Sequence, residues 1–229
     1  YPYGAGRRDS TRIALKESGF LSGRLNQEDF EGYGPFIMEY AESSPKDWFG
    51  LPALRMEDIE FQGCDYCINS PHELLPYIYE NINRKSWLIT TYHAIGFDGN
   101  TDDRPIGWGF YKRENFFQEM NTVKSLMENK KLWLASMNDV TLYTYLRNNT
   151  TFEIMYENNS TFKLVFKSTV DKNQINTDIT LKMFINQNMG YNSMIIENSY
   201  NKIFESDTLS DTLIVNLNPH DGPYKISFE

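Results

Sequence analysis

At 229 residues, with 40% hydrophobic and 23% charged side chains, the chain can bury one good core and a smaller second one, so two domains are expected. A net charge of -9 and a pI near 4.9 argue against a nucleic-acid partner, because phosphate binding depends on clustered Lys and Arg. No apolar run is long enough to cross a bilayer, and residues 1–15 lack the basic-then-apolar pattern of a signal peptide. Neutral sugars stay compatible with this charge, and the 15% aromatic content would suit stacking on their rings, although core packing is the commoner use of such residues.

Tyr1-Pro2-Tyr3-Gly4 reads as the end of a strand running into a turn, so residues upstream of it are expected. Residues 9–19 read as a short helix: Asp9 or Ser10 is placed to accept from an orphan amide, and Gly19 to take the left-handed position that ends it. Phe20 to Arg24 resembles a strand. From Asn26 to Gly63, the residues Gly32, Gly34, Pro35, Pro45, Gly50 and Pro52 break any sustained period, which predicts a long loop with short elements.

Ser70-Pro71-His72-Glu73 combines a capping box with Pro at the first helical position. Leu74, Leu75, Ile78 and Ile82 follow at helical spacing, which predicts a helix over 71–83. A buried strand from Trp87 to Tyr92 comes next, then a Gly/Asp-rich loop over 96–109. The following helix places Phe116, Met120, Val123 and Met127 on one face. Leu132-Trp133-Leu134-Ala135 reads as a second short buried strand, and Asn138 or Asp139 as the cap of a last helix carrying Val140, Tyr143 and Leu146.

This alternation up to about residue 147 predicts an α/β domain with a parallel sheet. Beyond it the texture changes. Phe162, Leu164 and Phe166 alternate with Lys163 and Lys167, and β-rich runs recur at 179–185, 193–196, 212–217 and 224–228. Such spacing predicts a small antiparallel β-sandwich over 149–229 after a first domain over 1–148.

Chemistry is sparse. Cys64-Asp65-Tyr66-Cys67 has a spacing shared by local disulfides, redox motifs and half zinc sites, with no second Cys or His pair at zinc-site spacing. Asn148, Asn149, Asn158 and Asn159 each begin an acceptor sequon, informative only in a secreted eukaryotic glycoprotein. Among three histidines, His72 in a first helical turn and His220 in a Pro-His-Asp-Gly turn read as surface residues. His93 ends a strand just before a Gly/Asp-rich loop, where α/β barrels keep their chemistry; the alternative is a ring satisfied inside the fold.

Taken in order, these motifs resemble the polysaccharide deacetylases of the NodB-homology fold. Tyr1-Pro2-Tyr3-Gly4-Ala5 is similar to that family's Pro-Tyr-Gly motif, and Lys16-Glu17-Ser18-Gly19-Phe20 to the helix and strand entry after it. Leu88-Ile89-Thr90-Thr91-Tyr92-His93 is similar to the late strand that ends in the catalytic histidine. Gly107-Trp108, Phe116 and Leu132-Trp133-Leu134-Ala135 resemble the end of that domain, and Asn218-Pro219-His220-Asp221-Gly222 a trailing sandwich module.

The resemblance implies a partial distorted (β/α) barrel of the deacetylase type, followed by an accessory β-sandwich. It implies removal of acetyl groups from a polysaccharide or oligosaccharide, in a secreted or cell-surface protein. His93 would act as the acid that protonates the departing amine, and the Tyr3 backbone amide would help hold the oxyanion. Trp108, Trp48 and Arg24 are the candidates for contact with substrate. The family's divalent metal, zinc before others, is held by an Asp and two His upstream of Pro-Tyr-Gly. No His-x-x-x-His occurs in this chain, so its ligands are not among these residues. Arg24 stands near the place of the family's Asp-x-x-Asp-Trp motif, which has no counterpart here. The competing expectations are a non-catalytic carbohydrate-binding or cell-surface protein, with Trp48 and Trp108 as anchors, and a structural module that takes no ligand.

Overall fold

Leu54 and Met56 organise the first half of the chain, because one face of their short strand meets two helices. The computed structural model describes residues 8–25, 34–58, 67–96, 109–185, 190–206 and 211–229. It divides into two units, Tyr1–Met137 and Asn138–Glu229, so the last helix groups with the second unit.

In the first unit the pattern is that of an α/β protein. Strand β2 (Leu54–Met56) runs parallel to β4 (Thr90–Tyr92), with Leu54 opposite Thr90 and Met56 opposite Tyr92. Strand β5 (Ala94–Gly96) runs parallel to β6 (Phe110–Lys112). Single parallel bridges join Arg24 to Leu51 and Met56 to Ile68. Strand β1 (Phe36–Ile37) pairs antiparallel with β3 (Trp87–Leu88). Among the described residues these pairs form separate small sheets, not a closed barrel.

Helix α1 (Asp9–Glu17) has Arg8, not Asp9 or Ser10, as its N-cap, and no side chain caps it. Gly19 does take the left-handed conformation, at φ +83°. Helix α2 (Pro71–Arg84) starts as its sequence predicts, with Ser70 extended and Pro71 first. The capping box is only half made: the Ser70 hydroxyl caps nothing, and Glu73 Oε2 accepts from the Asn69 amide at 3.1 Å, one residue early. Helix α3 (Arg113–Glu128) directs Val123 inward.

Leu54, Met56, Ile68, Leu74, Ile78, Tyr111 and Val123 form one buried cluster, with Tyr92, Phe116 and Met120 packed against it. Each fully buried aliphatic side chain here contributes about 1.5–3 kcal/mol relative to exposure. On the opposite face of β2 and β4, Ala53 and Ile89 join Ile37 and Leu51 in a smaller cluster. Further along that second face the side chains become charged.

Two expected strands differ. The run 87–92 is interrupted at Ile89, and its strand residues are half-buried. Leu132–Ala135 forms no strand; Trp133 is 58% and Leu134 52% exposed, and among the described residues no strand pairs with the run. The stretch 20–24 contributes only the bridge at Arg24.

The second unit opens with α4 (Met137–Asn148), which takes Asn138 and Asp139 into its first turn, not as caps. Strands β7 (Thr150–Tyr156), β8 (Thr161–Ser168), β10 (Met194–Glu197), β11 (Lys202–Ser206) and β13 (Tyr224–Phe228) form an antiparallel sheet in the order β11-β10-β13-β8-β7. Strands β9 (Ile179–Phe184) and β12 (Thr212–Leu217) form a second, two-stranded sheet. Leu164, Met194, Ile196, Tyr224 and Ile226 from the larger sheet share a buried cluster with Val215 and Leu217 from the smaller. His220 is half-buried in its turn, not on the surface, and its amide is held by Asn218 Oδ1 at 3.0 Å.

Candidate functional site

Strand alternation decides what surrounds His93. Tyr92 turns toward the helices, where its hydroxyl donates to Glu119 Oε2 at 2.8 Å. The next residue is therefore sent to the opposite face. Arg55 lies opposite Thr91 in the register, so Glu57, one residue beyond Met56, comes level with His93. Arg55, Glu57 and His93 thus share the face that α2 and α3 do not cover, at the carboxyl ends of the parallel pair.

A third chain segment closes on this point. The Ala94 amide donates to the Gly109 carbonyl at 3.1 Å, and the Asp58 amide to the Phe110 carbonyl at 2.8 Å. Gly109 sits at φ +85° with its α-carbon against the His93 ring, an approach that leaves no room for a side chain. His93 is exposed to solvent as a residue, its ring covered in part by Gly109.

Charge at these strand ends is concentrated and mostly paired. Arg55 and Glu57 are 6% and 0% exposed and form an ion pair with each other. Asp58 Oδ2 receives Lys112 Nζ at 3.3 Å. Burial lowers the His93 pKa from its ordinary 6.5, and the positive fields of Arg55 and Arg24 lower it further. The imidazole is accordingly neutral at pH 7. Arg24 is half-buried, and burial lowers its own pKa as well.

Of the residues expected at the site, Arg24 is one of the charges that lower the His93 pKa. Trp48 is half-buried and attached to the Arg24 segment through its backbone, its carbonyl accepting from the Gly23 amide at 2.9 Å. Tyr3 and Trp108 lie outside the described residues. Exposed His72 stands in the first turn of α2, away from this chemistry, as expected.

Among the described residues no three His, Cys, Asp or Glu side chains converge as a cation site. Glu57 pairs with Arg55 through Oε2 while its Oε1 is buried without a hydrogen bond among the described residues, and Asp58 Oδ2 receives Lys112. Cys67 takes part in a disulfide, which is compatible with the local-disulfide and the redox readings of the Cys64–Cys67 spacing.

A hollow of about 320 Å³ lies beside Arg12, Met38, Glu42, Asp47 and Gly50. Its charges are internally satisfied, Arg12 Nη1 holding Asp47 Oδ2 at 2.6 Å. A Cβ on Gly50 would stand 2.3 Å from that same Oδ2. The hollow does not include His93.

Sequence reasoning missed Arg55, Glu57 and Gly109. The first two had a readable signal: Leu54 and Met56 alternate with Arg55 and Glu57, the period of a half-buried strand. Compared with known proteins, the chain matches no family model, no curated protein and no solved structure.

Proposed function

We propose that this chain is the carboxyl-terminal part of a carbohydrate deacetylase, with His93 as the acid that protonates the leaving group. One observation carries the reading: an exposed histidine at the carboxyl end of a parallel strand, on the sheet face whose buried side chains are charged. Release of an amine or sugar alkoxide from a tetrahedral intermediate needs a proton at that moment, and a neutral-range imidazole within reach supplies it. Lowering the His93 pKa makes the ring a stronger acid and reduces the fraction that is protonated at pH 7. The reaction is then expected to slow as pH rises above that lowered value.

The partial deacetylase-type barrel belongs to this reading, on the strength of the parallel β2–β4 and β5–β6 pairs and of the motif order. So does the trailing sandwich, supported by one buried cluster shared between two antiparallel sheets. The resemblance puts the metal-holding residues, with zinc the leading metal, in chain that precedes Tyr1. Tyr3 would then supply an oxyanion donor, and Trp108, Trp48 and Arg24 contacts to a polysaccharide substrate at the cell surface or outside the cell.

Acetate release from N-acetylated chitooligosaccharide and from O-acetylated xylan tests the proposal, with this chain alone and with the chain extended upstream, in the presence of zinc. Activity of the extended chain, lost in His93→Asn while the variant stays folded, is the expected result. Full activity in His93→Asn overturns it.

A second reading, a glycan-binding protein without catalysis, draws on the second unit. There a hollow of about 350 Å³ is lined by Phe152, Tyr156, Phe162, Phe184, Tyr191 and Phe228, rings of the kind that stack on sugars. Retention on a glycan column by residues 138–229 within the whole chain, abolished by Phe184→Ala and indifferent to a chelator, would favour it.

A further inference from the structure

We propose that the edge of strand β7 is a docking surface for a second copy of this chain, the two β7 strands pairing antiparallel about Ile154. The inference needs neither reading of function above.

Strand β7 ends the sheet β11-β10-β13-β8-β7, and among the described residues no strand pairs with its other side. Such an edge presents unused N–H and C=O groups, which soluble proteins guard with Lys, Pro, a bulge or a covering segment. The run Thr150–Tyr156 contains no Lys or Pro and keeps one register with β8 along its length. Phe152, Ile154, Met155 and Tyr156 are between 44% and 78% exposed.

The ladder with β8 tells which backbone groups are free. The Glu157 amide donates to the Thr161 carbonyl at 2.9 Å, and the Thr169 amide to the Asn149 carbonyl at 3.0 Å. Bonded and non-bonded pairs alternate along an antiparallel ladder, so the odd residues from 149 to 157 are those bonded to β8. Phe152, Ile154 and Tyr156 therefore direct their N–H and C=O outward. Their side chains lie level with Phe166, Leu164 and Phe162 of β8, on the face that carries the core, and line the hollow there. The same three residues thus offer main-chain bonds and apolar contact together.

A second copy is the occupant that this pattern fits. With even residues bonded to even residues, a symmetric antiparallel pair must centre on a residue. Centring on Glu153 sets two Glu153 carboxylates opposite each other, and centring on Met155 sets Glu153 opposite Glu157; both are destabilising. Centring on Phe152 leaves Tyr156 opposite Asn148. Centring on Ile154 sets Ile154 against Ile154 and each Phe152 against the other copy's Tyr156, with Glu153 beside Met155. No like charges meet, and Glu153 keeps its ion pair with Lys167 of β8.

Light scattering on the full chain tests the pairing. The 26.8 kDa monomer is expected to give way to a dimer between about 1 and about 100 µM, the affinity of a small transient interface. Ile154→Lys, a charge of the kind that guards edges, should leave a monomer throughout with the urea midpoint little changed. Ile154→Pro should do the same, because the amide it removes is not one that β8 uses. Ile154→Cys is expected to cross-link to its copy with a short bis-maleimide, and Thr151→Cys is not, since the two 151 positions lie six residues or about 20 Å apart along the strands. A chain that is monomeric at every concentration overturns the proposal; if that monomer is retained on a glycan column, the strip belongs to a sugar. A dimer that persists in both Ile154 variants, or that cross-links equally through 151, overturns it as well. Unfolding of Ile154→Pro would assign that amide to the β8 ladder and so remove the outward groups on which the pairing stands.

Discussion

Gly109 presses its α-carbon against His93 so closely that a Cβ placed on it would stand 2.6 Å from His93 Cβ and 2.7 Å from Nδ1. Two separate demands therefore make glycine necessary at 109: a positive φ of +85° and the contact itself. Gly190 meets only the first, at φ +72° with nothing within 4 Å. Gly190→Ala is expected to cost about 1 kcal/mol from backbone strain. Gly109→Ala should cost more, because the ring or the β5–β6 pairing must shift as well. Urea denaturation ranks the two, and only Gly109→Ala should move the His93 imidazole resonances. An unmoved His93 signal in that variant would show that the contact is not what holds the ring.

The Arg55–Glu57 pair yields a second expectation. Both side chains are buried, so removing one partner strands the other charge away from water. Glu57→Leu alone should destabilise the chain by about 3–5 kcal/mol, the range for breaking a buried pair. Arg55→Met with Glu57→Leu should cost much less than the sum of the two single changes, since neither charge remains to be solvated. Thermal or urea midpoints of the three variants decide it; additive losses would mean that the two charges are not coupled.

How far the sequence disclosed this arrangement depends on what each segment needed from its neighbours. Helix α2 was legible because its start signals are local: Ser70, Pro71 and the spacing of Leu74 and Ile78 need no partner. The parallel class was legible from alternating strands and helices. The site was not, because Arg55 and Glu57 lie in a stretch that Gly50 and Pro52 break and that reads as a long loop, whereas pairing with β4 turned them inward. Burial of a charge is decided by a partner distant in sequence, and a single strand's pattern does not carry it. The opposite error occurred at Leu132–Ala135, where apolar residues suggest burial but Trp133 and Leu134 stand exposed. Strand β7 was missed for a related reason. It is an edge strand whose residues from Thr151 to Tyr156 are all exposed, although Phe152 and Ile154 alternate with Thr151 and Glu153 in the sequence.

His93 also makes stability depend on pH, with a definite sign. Its folded-state pKa lies below the ordinary 6.5, so between those two values the unfolded chain binds more protons than the folded one. The contribution is therefore intact above pH 6.5 and is lost as pH falls through the lowered value. Arg24→Gln removes one of the two fields that lower it, and is expected to raise the His93 midpoint and to shrink the loss of stability on acidification. NMR titration gives the midpoint, and urea denaturation at pH 7.5 and 5 gives the loss. A midpoint unchanged in Arg24→Gln would leave burial and Arg55 as the whole cause.

On the face of β4 opposite His93, a buried carboxylate ties β4 and β6 to α3. Glu119 is 0% exposed and accepts from Tyr92 on β4 and from Tyr111 on β6, one hydroxyl at each carboxylate oxygen. Burial raises the Glu119 pKa, and the two hydroxyls oppose that rise by stabilising the anion. Both tyrosine hydroxyls are held un-ionised, chiefly by burial and then by the neighbouring carboxylate. Glu119→Leu should cost about 1–3 kcal/mol, because the Tyr111 hydroxyl is left buried without an acceptor. Adding Tyr111→Phe to that variant removes the orphaned group and should recover part of the loss, whereas Tyr111→Phe alone should be destabilising. The sign reversal between the two backgrounds is the measurement that matters, read from urea midpoints. If Tyr111→Phe destabilises equally in both, the hydroxyl has another acceptor, and Tyr92 alone links Glu119 to the strand that positions His93.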